Sequence, residues 1–483
     1  MNFLSACRSI AILFPAFVAF ILNQYPVPGN CQSVPVNLTL PGDTIIIHQI
    51  RITGNKVTRK SIILRELDFR ENDTLTPYRV SEALLSSRQN VFNTHLFNFV
   101  TIDTSLVAGT HLADVNIAVV ERWYLWPIPY IEISDRNFNV WWETRDFNRL
   151  TYGIDFTLFN ARGRNETLKI LTHFGFNQRF GFEYSMPYLN KKQTIGTGFG
   201  AGIDLNRELP VFTRHNQPVY MRSDSNYLKK MLYGFARFVV RPDIFSTHSF
   251  KLAYSYYVLD SNIRSIPGYV LLQQDIQQFL TLNYVFKIDH RDVQSYPLKG
   301  YFMDVELNHS IPYATAHNSY LATNFRAYLQ LYNRWYWASG FTGKLSFEKT
   351  QPYYLQRGFG YGRDYVRGYE YYVIDGQHFA LLKNNLKFAL IPQRVEKIGF
   401  LKSEKFNTIP LALYLNAFAD MGYAYHYPGE SSANAGNTLE NSFLLGYGLG
   451  VDFTTYYDVV IRIEGSMNLL NRPGIYLHFI API

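Results

Sequence analysis

From Trp123 to the end of the chain, apolar and polar side chains alternate residue by residue. The pattern recurs in one segment of eight to ten residues after another. In 250–258, Phe250, Leu252, Tyr254, Tyr256 and Val258 share one face, opposite Lys251, Ala253, Ser255 and Tyr257. In 301–308, Tyr301, Met303, Val305 and Leu307 oppose Phe302, Asp304, Glu306 and Asn308. The stretches 280–289, 459–467 and 475–480 repeat the pattern. A period of two puts successive side chains on opposite faces of a strand, so the segment is read as a succession of half-buried strands.

A soluble β-sandwich or propeller alternates in the same way. The polar face of these segments, however, carries full charges: Lys287, Asp289, Asp304, Glu306, Arg462 and Glu464. A dry sandwich core would leave such charges at a large desolvation cost, whereas the wet lumen of a membrane barrel accepts them. Connections also alternate in length. Short ones (160–163, 241–243 and 471–474) intersperse with long ones (205–226, 351–380 and 426–440), as between the two ends of a barrel. The expectation is a mainly β chain, with a 16-stranded antiparallel transmembrane β-barrel over 123–483; eighteen strands would also fit. Phe and Tyr number 37 each beside 6 Trp, a load that suits large sheet faces and aromatic girdles.

The one long apolar run, Ile10 to Leu22 behind Arg8, is 13 residues and contains Pro15. A spanning helix needs roughly 20, so residues 1–30 read as a signal peptide with an undetermined cleavage site. Cys7 lies inside that leader and Cys31 is the only other cysteine, which leaves no internal disulfide and no cysteine-based metal site. The net charge of +8 is spread out with no basic stripe, so nucleic acid is not an expected partner.

Between the leader and the alternating region, residues 44–122 read as a separate unit of order β-α-α-β-β. Thr76-Pro77 opens its second helix as N-cap and first helical residue. Val80, Leu84, Ser87 and Val91 form that helix's apolar face. Strands follow over 97–107 and 112–121.

Signals for catalysis are lacking: there is no GxSxG elbow, HExxH or Walker loop, so no enzyme, cofactor or metal is expected. Gly196, Gly198, Gly200 and Gly202, and again Gly446, Gly448 and Gly450, lie two apart on strand faces and read as smooth surfaces for close packing. The informative segment is 358–376, GFGYGRDYVRGYEYYVIDG, long, aromatic and glycine-rich between two strands. If Arg367 at its centre folds back into a polar barrel it needs an acid, because an unpaired buried charge is costly. Asp420, in the stretch Ala417-Phe418-Ala419-Asp420-Met421-Gly422, is the candidate.

On these residues the chain resembles the Omp85 superfamily of outer-membrane assembly and secretion barrels. Val366-Arg367-Gly368-Tyr369 is similar to that family's VRG(F/Y) loop signature, and Phe418 to Gly422 to its FxDxG strand motif. The 44–122 unit is similar to a POTRA domain, with Ile52-Thr53-Gly54-Asn55 and 96–100 in corresponding places. Two departures stand out. Asn385 occupies the position where the family often has an acid, which would leave the Arg367 lock on Asp420 alone. There is also one POTRA-like unit, where general assembly members and two-partner exporters carry more.

The resemblance implies a periplasmic domain and a barrel in the outer membrane of a Gram-negative bacterium, surrounded by lipid. It would act on unfolded outer-membrane or secreted proteins, with accessory lipoproteins as further partners. The implied mechanism pairs an incoming strand along the POTRA edge at Phe97, Phe99, Thr101 and Asp103. The barrel then opens at a seam between Ile128, Tyr130 and Glu132 on the first strand and Ile475, Leu477 and Phe479 on the last. The alternatives are a dedicated exporter of one secreted protein through the lumen and a passive pore; the periplasmic unit argues against the pore.

Overall fold

The computed structural model describes residues 44–133, 149–271, 274–312, 317–397, 407–427, 436–455 and 458–479. The expected leader lies outside the described residues. The chain forms two compact units. Among described residues, the first holds 44–53, 67–88 and 101–118, and the second holds 54–66, 89–100 and those from 119 onward.

The N-terminal elements are β1 (Ile45–Thr53), α1 (Lys60–Leu64), β2 (Thr74–Leu75), α2 (Pro77–Phe92), β3 (Phe97–Leu106) and β4 (Leu112–Glu121). Their sheet has the order β2-β1-β4-β3, with β1 parallel to β4 and β3 at an edge. The two-residue β2 is an addition to the sequence reading. Thr76 caps α2, its Oγ1 accepting from Arg79 N at 3.4 Å. Of the anticipated helix face, Val80, Ser87 and Val91 are buried and Leu84 is half-buried. The alternating Ala113, Val115, Ile117 and Val119 of β4 are buried as well.

The second unit contains β5 (Leu125–Ile133), β6 (Leu150–Ala161), β7 (Glu166–Gly175), β8 (Gln178–Met186), β9 (Ile195–Asn206), the hairpin β10 (Glu208–Arg214) and β11 (Gln217–Arg222), β12 (Lys229–Val240) and β13 (Ser246–Leu259). After the short helix α3 (Ser261–Arg264) come β14 (Ile276–Asp289), β15 (Gly300–Pro312), β16 (Asn318–Tyr332) and β17 (Trp335–Ser346). The small ladder of β18 (Arg357–Phe359) and β19 (Ile374–Asp375) precedes β20 (His378–Lys397), β21 (Thr408–Tyr425), β22 (Phe443–Thr454), β23 (Val460–Asn468) and β24 (Pro473–Phe479).

Leaving out the two hairpins, these strands form one 16-stranded sheet that begins at β24 and ends at β5, so those two are its edges. Each neighbouring pair is antiparallel, for example β13 with β14 and β21 with β22. The sheet is rolled up. Tyr296, in the connection after β14, reaches Asp452 in β22 at 2.6 Å, although six strand steps separate β14 from β22. A flat sheet would hold them about 29 Å apart. The two faces divide as the alternation requires. Leu252 and Leu282, paired across β13 and β14, are 47 % and 49 % exposed on the outer face. On the inner face Lys287 stands opposite Asp304, and Asn283 Nδ2 donates to Glu306 Oε1 at 2.7 Å.

Strand parity assigns each connection to an end. The short connections after β6 and β12 share one end, the turn end, and the long ones after β9 and β17 share the other, the loop end. One expectation is corrected here. The short turn at 471–474 joins β23 to β24 and lies at the loop end, because chain parity, not length, fixes the side. At the loop end β10 and α3 build a small core of their own, in which Leu209, Val211, Ile263 and Tyr353 are buried together.

Candidate functional site

The segment 358–376 folds inward against β20–β22. Phe359, Val366, Tyr369 and Ile374 form a buried cluster with Phe379, Leu381, Ala424 and Leu444. Two glycines on the facing strands make the approach possible. A Cβ on Gly446 would lie 1.7 Å from Arg367 O, and one on Gly422 would lie 2.4 Å from Val366 Cγ2. Of the two glycine rows read from the sequence as smooth surfaces, the second thus receives the loop at Gly446. Tyr369 N donates to Val366 O at 3.0 Å, and Gly368 completes the turn with φ of +90°.

This turn aims Arg367, 2 % exposed, at the wall. Its Nε and Nη2 form a fork onto Asp420, at 2.7 Å to Oδ2 and 2.5 Å to Oδ1. Its Nη1 donates to Glu464 Oε1 at 3.0 Å, and its guanidinium lies 3.9 Å from the centroid of the Phe418 ring. Burial opposes the charge on Arg367, but Asp420 and then Glu464 more than offset it and hold its pKa above the ordinary value.

Glu464 corrects the expectation that the lock rests on Asp420 alone. Asn385 does not take part: it stands opposite Phe418 in the β20–β21 ladder, and its side-chain amide has no hydrogen-bond partner among the described residues. The second carboxylate comes from β23 instead. The alternation had already assigned Glu464 to the inner face; its partner could not be read, because strand period says nothing about which loop reaches which height.

The charges continue beyond the lock. Arg462 forks onto Asp452, with Nε to Oδ1 at 2.6 Å and Nη2 to Oδ2 at 2.9 Å, and its Nε lies 3.7 Å from Glu464 Oε1. Asn416 Nδ2 donates to Asp452 Oδ1 at 3.1 Å. Tyr296, in the turn between β14 and β15, donates its hydroxyl to Asp452 Oδ2 at 2.6 Å, and its ring centroid lies 4.2 Å from Lys387 Nζ. Arg367, Arg462 and Lys387 are thereby balanced by Asp420, Glu464 and Asp452. The series joins a segment from the loop end to a turn from the turn end.

The same loop touches the edge strand β24. Tyr365 OH lies 3.4 Å from His478 Nδ1, the Tyr371 and Tyr476 rings are 5.4 Å apart, and Glu370 Oε1 is 3.9 Å from His478 Nε2. Burial pushes the Glu370 carboxyl up to about 7 against the hydrogen bonds it accepts from backbone N–H groups, one of them from Gly368.

At the two edges, Ile128, Tyr130 and Glu132 share the inner face of β5. Tyr130 stacks on His173 at 3.8 Å and donates to Glu132 Oε2 at 2.6 Å. Ile475, Leu477 and Phe479 are 81 %, 56 % and 64 % exposed on the outer face of β24. The two sets assigned to the seam therefore lie on opposite faces; Ile131, 71 % exposed, is an outward residue of β5. Pro127 and Pro129 have the same parity on β5, within an unbroken ladder to β6. A proline is tolerated in a ladder only where its missing N–H points away from the neighbour. The free edge of β5 thus lacks two donors. On the N-terminal sheet, Phe97 of the edge strand β3 belongs to the core, Phe99 is half-buried, and Thr101 and Asp103 are exposed. Among the described residues no group of three or more potential metal ligands occurs.

Comparison with known proteins agrees with this arrangement. The family model described as POTRA, surface antigen variable number repeat, matches residues 45–122, and the Omp85 superfamily domain matches 160–455. The outer membrane protein assembly factor BamA of Neisseria meningitidis serogroup B (strain ATCC BAA-335 / MC58) is 33 % identical over 105 residues, which are 21 % of this chain and 12 % of that protein. This chain therefore spans a small part of that relative's length. CdiB from Escherichia coli shares the fold, with TM-score 0.51 at 12 % identity over 90 % of this chain and 75 % of that one. BamA from Haemophilus ducreyi lacking POTRA domains 1–3 matches with TM-score 0.48 at 14 % identity over 90 % and 84 % of the two chains. The chain belongs to the Omp85 superfamily and is an outer-membrane β-barrel with a periplasmic POTRA domain.

Proposed function

We propose that this protein inserts or assembles other proteins in the outer membrane by opening between β5 and β24. The observation that carries this reading is the β5 edge. A row of N–H groups interrupted at Pro127 and Pro129 cannot make a full ladder with β24, so separating these edges costs fewer hydrogen bonds than separating any inner pair. An exposed edge of this kind pairs with an incoming strand through backbone bonds that tolerate many sequences. The edge strand β3 offers the same chemistry in the periplasm, through its backbone beside Thr101 and Asp103. The Arg367 lock, with Asp420 and Glu464, keeps the β21–β23 wall in shape while the seam moves. The protein substrates and any accessory lipoproteins belong to this reading as well.

The test uses cysteine pairs in a Cys31→Ser background: Ile131→Cys combined in turn with Ile475→Cys, Leu477→Cys and Phe479→Cys. Oxidation of a pair that crosslinks is expected to stop assembly of client barrels, and reduction to restore it. Full activity of a crosslinked barrel would rule out lateral opening. Depletion followed by quantitative proteomics of the outer membrane identifies the clients. A fall across many unrelated barrels supports assembly, whereas loss of one secreted protein alone points to a dedicated exporter.

A further inference from the structure

The hairpin β10–β11 does not end in solvent. Its two-residue turn, His215-Asn216, has φ of 51° and 60°, the two positive values that a tight primed hairpin turn requires. The tips of surface connections are ordinarily exposed, yet Asn216 is 6 % exposed. It is seated in the connection between β21 and β22. Asn216 N donates to Asn437 Oδ1 at 2.8 Å, and its Nδ2 donates to Thr438 Oγ1 at 3.2 Å. Its Oδ1 accepts from Thr438 N and Leu439 N, both at 3.1 Å. Asn437 Nδ2 donates back to Thr213 O at 3.2 Å. A Cβ on Gly436 would lie 2.6 Å from His215 Nδ1, so only a glycine there leaves room for the histidine ring.

The two walls joined in this way face each other. The hairpin stands between β9 and β12, and residues 436–440 stand between β21 and β22. Round one side of the sheet, β13, β14, β15, β16, β17 and β20 intervene between β12 and β21. Round the other side, β8, β7, β6, β5, β24 and β23 intervene between β9 and β22. Equal numbers of strands on the two sides put the contact across the diameter of the loop-end mouth. The hairpin is braced along its length. Leu209 and Val211 are buried at its root with Ile263 and Tyr353, and Thr213 Oγ1 lies 3.1 Å from Tyr353 OH and 3.2 Å from Tyr361 OH. It also holds the segment that carries Arg367, because Val373 N donates to Asn216 O at 3.0 Å.

We propose that β10–β11 is a strap that shuts the loop-end mouth of the barrel, with Asn216 as its clasp. While the strap is docked, solutes outside the cell are kept from the lumen. A molecule in the lumen leaves at this end only after the clasp releases. The inference is independent of the assembly reading, since it concerns the loop end and neither edge strand.

The experiment is single-channel recording of the full-length protein in planar bilayers. Asn216→Gly tolerates the positive φ and removes only the side-chain amide, with its three hydrogen bonds. At roughly two- to tenfold per lost bond, the open fraction should rise at least about tenfold over the parent protein. The pair Asn216→Cys/Thr438→Cys, in the Cys31→Ser background, supplies the converse. Reduced, it should conduct like Asn216→Gly; oxidised, it should return to the parent level. Heat-modifiable migration on gels confirms that each variant is a folded barrel, and migration with and without reductant confirms the crosslink. An open fraction no greater than the parent's in folded Asn216→Gly would overturn the proposal. So would undiminished conductance of the crosslinked pair.

Discussion

Tyr296 and Asp452 meet across the barrel: the hydroxyl of a turn between β14 and β15 donates at 2.6 Å to a carboxylate of β22 that Arg462 and Asn416 also hold. Burial and the Asp452 charge push the Tyr296 phenol well up, which favours the protonated donor. Tyr296→Phe keeps the ring against Lys387 and removes only the bond. The expected cost is about 1–2 kcal/mol, because Asp452 retains its other partners. Thermal unfolding followed by heat-modifiable migration measures it. A loss as large as that of Tyr296→Ala would mean that the bond, and not the packing, fixes the turn.

Arg367→Gln leaves Asp420 and Glu464 buried without their counter-charge. Removing one partner of a buried pair costs about 3–5 kcal/mol. The double variant Arg367→Gln/Asp420→Asn, which leaves Glu464 beside Arg462, should be more stable than the single variant. If it is no better, the loop is held by its apolar cluster and not by the ion pairs.

Gly446→Ala tests the close approach directly. The added methyl would overlap Arg367 O, so the loop must shift while the ladder between β21 and β22 remains. Overpacking of this kind costs about 1–3 kcal/mol. Limited proteolysis should cut the segment 358–376 faster than in the parent protein, with the barrel band intact.

Loop docking should depend on pH through Glu370. Its folded pKa, about 7, lies above the ordinary 4.5. The docked state therefore prefers the protonated acid. This stabilisation is complete below about 4.5 and is lost as pH rises through about 7. Glu440, near 7, and Asp375, near 6, at the same end, shift in the same direction through burial. Protease protection of the loop should fall over this window. Glu370→Gln, a mimic of the neutral acid, should flatten part of the dependence.

Replacing Pro127 and Pro129 of β5 by alanine restores two N–H donors to the free edge. At about 0.5–1.5 kcal/mol per bond formed, the variant barrel should resist heat better and assemble clients more slowly. Faster assembly would contradict a seam weakened by its missing donors.

The strands and their faces were legible in the sequence because a side chain's face depends only on the parity of its position. This is why Leu252 and Lys287 could be assigned outward and inward before any contact was known. Local chemistry also marked Thr76 and Pro77 as the start of α2. Arg367 and Asp420 were legible for a different reason: an arginine in an aromatic, glycine-rich loop needs an acid, and the motif resemblance names the same two residues. The short turn 471–474 was assigned to the wrong end because its length was read in place of its parity. Asn385 stands beside the lock, opposite Phe418, but makes no hydrogen bond to it, and Glu464 supplies the second carboxylate.

What the sequence by itself determined is the barrel: alternation fixes strands and their inner and outer faces, while the count of sixteen, against an equally admissible eighteen, came from the structure. What only the tertiary structure decided is which inward residues meet. Glu464 reaches Arg367 across 97 residues of chain, and Tyr296 reaches Asp452 across 156. Such pairs depend on how far the sheet curls and at what height each strand stands, and neither quantity has a local signature along the chain.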